Sequence, residues 1–195
     1  MNNHLSLDTP SPWVLRFAAA IGTGEVLDLA CGGGRHARLL ATLGHQVLAV
    51  DRDAAALERA AGDNIRTLQA DLEAAGHGQS WPASLFEADR YAGIVVTNYL
   101  HRPLFPVIFS SLAAGGVLIY ETFARGNEHF GKPSNPDFLL APGELLDVVR
   151  DHAGQGLRVI AFEDGYVEQP KPAIVQRICV AKEGRLADPA QIRRI

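Results

Sequence analysis

Residues 25–37 read EVLDLACGGGRHA, and this stretch decides the fold. Residues 25–30 are apolar apart from Glu25 and Asp28, the profile of a short strand buried on both faces. They run into Gly32, Gly33 and Gly34, which let a backbone turn tightly and stay open to a ligand. Ala37, Leu40 and Ala41 then recur at helical spacing, and Gly44 stops the helix. Strand, glycine turn and helix open a βαβ unit whose helix N-terminus offers free N–H groups.

Working outward, the alternation continues. Residues 46–51 (QVLAVD) form a second apolar strand, and Asp53 caps a helix of alanines and Leu57 that closes at Gly62. Residues 65–70 and 91–97 give the third and fourth strands; a helix over 103–113 leads to the fifth at 116–122. Pro142 opens another helix through Leu145, Leu146, Val148 and Val149. Two final strands, 157–162 and 174–181, have only a Gly/Pro-containing turn region between them, which predicts an antiparallel hairpin. Upstream, Ser11-Pro12 starts an N-terminal helix within residues 1–22. The expected fold class is α/β, a Rossmann-like, doubly wound, mostly parallel sheet with a C-terminal antiparallel hairpin. A length of 195 residues suits one domain over 1–195, with a loosely attached tail at 184–195.

Composition narrows the partners. With 47% hydrophobic residues the chain can build a full core. The net charge of −4, with no run of Lys or Arg, speaks against a nucleic-acid partner. Cys31 and Cys179 are too few and too far apart for a disulfide framework, and as reduced thiols they suit a cytoplasmic location. The first ten residues lack a basic and apolar leader. Residues 103–120 are uncharged, but Pro106, Ser110, Ser111 and Gly115-Gly116 interrupt them, so they predict buried helix, turn and strand rather than a membrane span.

Ligands of such sheets lie beyond the carboxyl ends of the strands. There the first strand delivers Asp28, Ala30, Cys31, Gly32 and Gly34; the second Asp51 and Arg52; the third Asp71 and Leu72; the fourth Asn98 and Tyr99. A carboxylate such as Asp51 can accept two hydrogen bonds from a ribose diol. The pattern Asp28-x-Ala30-x-Gly32-x-Gly34, followed by Asp51, Asp71 and Asn98, resembles the class I S-adenosylmethionine-dependent methyltransferases over residues 12–122. The run DLACGGGRH and the short length look most like the small tellurite-resistance-like subgroup. The resemblance implies a methyltransferase that binds S-adenosyl-L-methionine and releases S-adenosyl-L-homocysteine. By it, the turn at 30–34 holds the methionine moiety, Asp51 the ribose, Asp71 and Leu72 the adenine edge, and Asn98 lies beside the methionyl group. Arg16 reaches the methionine carboxylate if the N-terminal helix covers the cofactor; otherwise it is a solvated surface residue. Ala30 departs from the pattern, since a glycine stands there in the family.

Two rival readings share the motif. Gly32 to Ala37 also fits G-x-G-x-x-A, with Asp51 at the spacing of a dinucleotide fingerprint, which would make an NAD-linked oxidoreductase. The other is a catalytically silent cofactor-binding partner protein.

Methyl transfer relies chiefly on alignment, so a catalytic base is needed only when the acceptor loses a proton. His101 and His129 are the candidate bases. The acceptor, expected to be a small molecule, should meet Tyr99, His101 and Arg102 after strand four, Glu121 and Phe123 after strand five, and His129 and Phe130 in a long excursion at 123–141. That excursion reads as a lid or substrate wall. Trp13 and Trp81 read as packing aromatics, although Trp81 follows the adenine-side loop and would also be placed to wall that pocket. His101, Glu121 and His129 have no recognised ligand spacing, so no metal is expected.

Overall fold

The computed structural model describes residues 9–74, 81–82 and 84–184. The expected tail beyond Gly184 and the first eight residues lie outside them. The elements in chain order are α1 (Pro12–Phe17), β1 (Glu25–Leu29), α2 (Arg35–Thr42), β2 (Gln46–Asp51), α3 (Ala54–Ala60), β3 (Ile65–Gln69) and β4 (Tyr91–Thr97), then α4 (Phe105–Ser111), β5 (Leu112–Phe123), α5 (Glu144–Asp151), β6 (Leu157–Val167) and β7 (Ala173–Lys182).

The strands form one seven-stranded sheet in the order β3-β2-β1-β4-β5-β7-β6. Pairings from β3 through β5 are parallel, and β7 alone runs antiparallel, hydrogen-bonded to both β5 and β6. The expected hairpin is therefore present, with β7 inserted between β5 and β6. This insertion separates the sheet from the all-parallel dinucleotide-binding order, which weighs against the oxidoreductase reading. The chain reverses direction across the sheet between β1 and β4, and that switch point is where such folds open a crevice.

Period-2 alternation sorts the strand residues onto two cores. Val26, Val47, Ala49, Val95 and Ile119 pack with Trp13, Ala37, Leu40 and Leu57 from α1, α2 and α3. Leu27, Leu29, Leu48, Ile94 and Leu118 pack with Phe105, Phe109, Leu145 and Val149 from α4 and α5. Trp13 is buried and its indole N–H donates to the Ile178 carbonyl, so it serves as a packing aromatic. The uncharged stretch at 103–120 divides into a short 3-10 turn, α4 and the start of β5, earlier than the expected strand start at 116. Among the described residues no helix is long and apolar enough to cross a membrane.

Helices α2 and α3 touch where Gly34 begins α2. A Cβ on Gly34 would sit 2.5 Å from the Ala60 Cβ and 2.7 Å from its Cα, and the residue has φ +78°. Both the packing and the backbone therefore exclude a side chain. Gly34→Ala should lower unfolding stability by about 3 kcal/mol in urea denaturation. A loss under about 0.5 kcal/mol would contradict the packing argument.

Candidate active site

The turn after β1 is built from three left-handed residues in five, Ala30 (φ 55°), Gly32 (φ 53°) and Gly34 (φ 78°). An alanine in that region is strained, and it stands where the family pattern has glycine. Gly34 caps α2 but has no side chain to hold the first N–H groups of the helix. Asp28 supplies the cap from below: its carboxylate accepts the Ala37 N–H at 2.9 Å. Burial pushes the Asp28 carboxyl up to about 7, against the lowering effect of the Ala37 N–H and of Arg35. Asp28, expected from the sequence to contact a cofactor, supports the turn from below and is not among the residues that line the open hollow above it.

Asp51, at the end of β2, accepts the Gly32 N–H at 2.7 Å and the Asp53 N–H at 3.0 Å, one on each oxygen. Each oxygen keeps a lone pair for a ligand. Asp53 in turn caps α3 through the Ala55 and Ala56 N–H groups. Asp71 accepts the Glu73 N–H at 2.9 Å and presents Leu72 beside it.

Three adjoining hollows follow the carboxyl ends of the strands. The first, about 150 Å³, lies among Ala30, Asp51, Arg52, Asp71, Leu72 and Tyr99. A second, about 540 Å³, shares Ala30, Asp51 and Tyr99 with it and adds Cys31, Gly32, Arg35, Thr97 and Asn98. A third, about 310 Å³, joins at Arg35 and Asn98 and extends past Glu121 and Phe123 to the β6–β7 turn. The expected cluster of Ala30, Cys31, Gly32, Asp51, Arg52, Asp71, Leu72, Asn98 and Tyr99 thus shares one rim. Gly34 lies beneath it at the helix contact. The buried Tyr99 hydroxyl has no partner among the described residues, and burial holds it well above the usual tyrosine range, so it stays a neutral donor. Burial and the nearby acids Asp28 and Asp51 likewise hold the Cys31 thiol protonated, which removes it as a nucleophile.

A clip that the sequence did not reveal ties the N-terminal segment to this rim. The His36 Nε2 accepts the Ser11 N–H at 3.1 Å, which leaves the proton on Nδ1, 3.3 Å from Thr97 Oγ1. Burial pushes His36 down to about 3, helped by the Arg35 charge, so the ring is neutral. Ser11 Oγ donates to Glu121 at 2.8 Å, and Arg177 reaches the other Glu121 oxygen at 3.3 Å. Arg35 is the second missed residue. A cation in the first turn of a helix opposes the helix dipole, and that misfit was its signal in the sequence.

Other expected contacts fall elsewhere. Arg16 pairs with Glu163 at 3.2 Å and lines none of these hollows, whereas Arg35 lines two of them. Arg102 is committed to Glu144 at 2.6 Å and to the Asp137 and Leu139 carbonyls, where it fastens the 123–141 excursion to α5. His129 is exposed, and Phe130 packs on Tyr166 at the outer surface. His101 is partly buried, with an Nε2 that lacks a partner among the described residues, and it lines none of these three hollows. Trp81 donates to the Leu72 carbonyl and packs on Phe86, behind the small hollow. The excursion is tied down by buried Asn127, which donates to Pro133 and accepts from Ile174. Only Phe123 of that segment lines the third hollow.

Comparison with known proteins agrees with this fold. Residues 26–115 match the family model described as "Methyltransferase domain". The fold is similar to TehB from Haemophilus influenzae (TM-score 0.70, 18% identity, covering 89% of this chain), though this chain spans 63% of that one. It is also similar to an S-adenosylmethionine-dependent methyltransferase from Mesorhizobium loti (TM-score 0.65, 16% identity, 88% of this chain and 99% of that). A third likeness is to the Burkholderia thailandensis 1,6-didemethyltoxoflavin-N1-methyltransferase, with 1,6-didemethyltoxoflavin and S-adenosylhomocysteine bound (TM-score 0.62, 18% identity, 88% of this chain and 77% of that). No curated protein matches the sequence at a significant level.

The two perturbed groups under the turn act on stability with opposite signs. Asp28 titrates near 3.8 unfolded and about 7 folded, so the folded chain holds the extra proton in between and stability falls as pH rises through that window. His36 titrates near 6.5 unfolded and about 3 folded, so its contribution is full above 6.5 and is lost as pH falls toward 3. Across the overlap the slopes offset each other. Asp28→Asn keeps an acceptor for Ala37 and removes one slope. Its stability minus that of the parent should rise from about pH 4 to pH 7 by up to about 1.4 kcal/mol per unit, read from denaturant midpoints. A flat difference would show that Asp28 is not protonated by burial.

Proposed function

We propose, from the match of residues 26–115 to a methyltransferase-domain family model, that this chain uses S-adenosyl-L-methionine to methylate a small organic acceptor. The observation that carries the reading is the Asp51 carboxylate, fixed by two backbone N–H groups while both oxygens keep a free lone pair toward the hollows.

The residues present fit an adenosyl thioether. Asp51 suits the ribose diol, and the hollow beside Asp71, Leu72 and Tyr99 suits the adenine. Tyr99 also lines that hollow. The turn at 30–34 leaves room for the methionine chain, since a Cβ on Gly32 would meet nothing within 4 Å. Arg35 is the cation for its carboxylate: it makes no ion pair among the described residues, and its guanidinium donates only to the Thr9 carbonyl. When bound, S-adenosyl-L-methionine supplies a methyl group activated by the sulfonium and leaves as S-adenosyl-L-homocysteine.

The chain's own contribution is alignment. Arg35 and Asn98 line both the cofactor hollow and the groove beyond Glu121, so they stand at the junction where donor and acceptor would meet. The clip from Ser11 through His36 to Thr97 holds α1 and its preceding segment over that junction. His101 and His129 stand outside the groove, and the reading assigns no base to either. Glu121 is the carboxylate nearest the acceptor side, held by Ser11 and Arg177. The excursion at 123–141 supports the groove from outside through Phe123, and the β6–β7 turn forms the outer wall.

Isothermal titration with S-adenosylhomocysteine should give saturable binding, weakened at least about tenfold in Asp51→Asn with the overall fold retained by circular dichroism. The single amide oxygen of that variant can keep only one of the two backbone N–H groups. Turnover of labelled methyl donor on a metabolite panel separates an enzyme from a silent binder. Absence of binding at about millimolar ligand would remove the reading.

A further inference from the structure

Resting on the reading of the cofactor hollow just given, we propose that the groove between residues 9–12 and the β6–β7 turn is the acceptor site and takes a small organic monocarboxylate with a ring-sized apolar body. The groove measures about 310 Å³, at the small end for ligand pockets, and opens to the cofactor hollow at Arg35 and Asn98. Pro12, Leu15, Phe123, Val167, Ala173 and Val175 give it an apolar wall. A flat body gains most there, because its faces leave water against aliphatic and aromatic surface.

The charges select the rest of the molecule. Glu121 is already satisfied by Ser11 and Arg177, and Arg177 also pairs with Glu163 at 2.7 Å. Lys171 lies over the Phe123 ring, 5.6 Å from its centroid, and has no carboxylate within ion-pair distance among the described residues. Glu163 is also paired with Arg16, so with Arg35 assigned to the cofactor, Lys171, Arg177 and Arg16 against Glu121 and Glu163 leave the groove and its rim one positive charge in excess. A single anion answers that excess. An amine would meet a like charge, and a phosphate dianion would lack a second free cation. Lys171 lines the groove but not the cofactor hollow, so an anion held there turns the opposite end of the molecule toward Arg35 and Asn98. The carboxylate is the handle, and the other end faces the methyl donor.

The test uses the full chain and three probes of one shape, benzoate, benzamide and benzylamine, ranked by ligand-observed NMR with S-adenosylhomocysteine saturating. Benzoate should bind about tenfold more tightly than benzamide, with benzylamine weakest. Lys171→Glu, at an exposed turn, should invert the order of benzoate and benzylamine. Benzoate binding no better than benzamide, no binding of any probe at about 10 mM, or an unchanged order in the variant overturns the proposal. S-adenosylhomocysteine is titrated alone first. Should it fail to bind, the methyltransferase reading falls by itself, and the same ranking without it decides the groove.

Discussion

The hydrogen bond from the Gly32 N–H to Asp51 joins the turn after β1 to the end of β2, and the rest of the rim depends on it. The other oxygen of the same carboxylate holds the Asp53 N–H, and Asp53 caps α3. Helix α3 then returns Ala60 to Gly34, the residue that starts α2. The contacts close a circuit through two strands and two helices. Its consequence is a glycine turn with a defined shape despite having few side chains to fix it. A flexible turn would lose more entropy on holding a ligand than a turn already held in place.

Two features inside this circuit run against local preference. Asp28 is a buried acid with one hydrogen bond, and Arg35 puts a positive charge at a helix N-terminus. Each lowers the cost of the other, since the Arg35 charge acts to keep Asp28 ionised and Asp28 acts to keep Arg35 charged. Departures of this kind gather where a fold serves a ligand as well as its own stability. His36 works differently. It is neutral, buried and joined to both Ser11 and Thr97, so it fixes geometry without bringing a charge to the site.

The residues proposed for the cofactor were legible in the sequence because βαβ units place such rim residues at strand ends in chain order. Asp51 ends β2, Asp71 stands two residues past β3 and Asn98 directly follows β4, so finding the strands found the residues. The acceptor side was not legible. Ser11 meets Glu121 across 110 positions and Arg16 meets Glu163 across 147, and no local pattern encodes such pairs. Arg102 looked like a substrate contact because it follows β4, yet Glu144 from α5 captures it. Phe130 and His129 have the residue types of a site but sit on the outer surface, which only the path of the excursion determines. Asp28 was found by its motif. Its position beneath the turn follows from strand alternation, with Leu27 and Leu29 in the core of the opposite face.

The sheet topology supports the proposal that one rim serves two ligands. The reversal between β1 and β4 opens the crevice proposed for the cofactor, and the inserted β7 carries Ala173, Val175 and Arg177 to the groove proposed for the acceptor. A crystal structure of the chain grown with S-adenosylhomocysteine tests this account most directly. The account predicts the ribose on Asp51, the adenine between Leu72 and Tyr99, and the homocysteine carboxylate on Arg35. Density for the ligand elsewhere, with Asp51 and Arg35 making no contact to it, would contradict it.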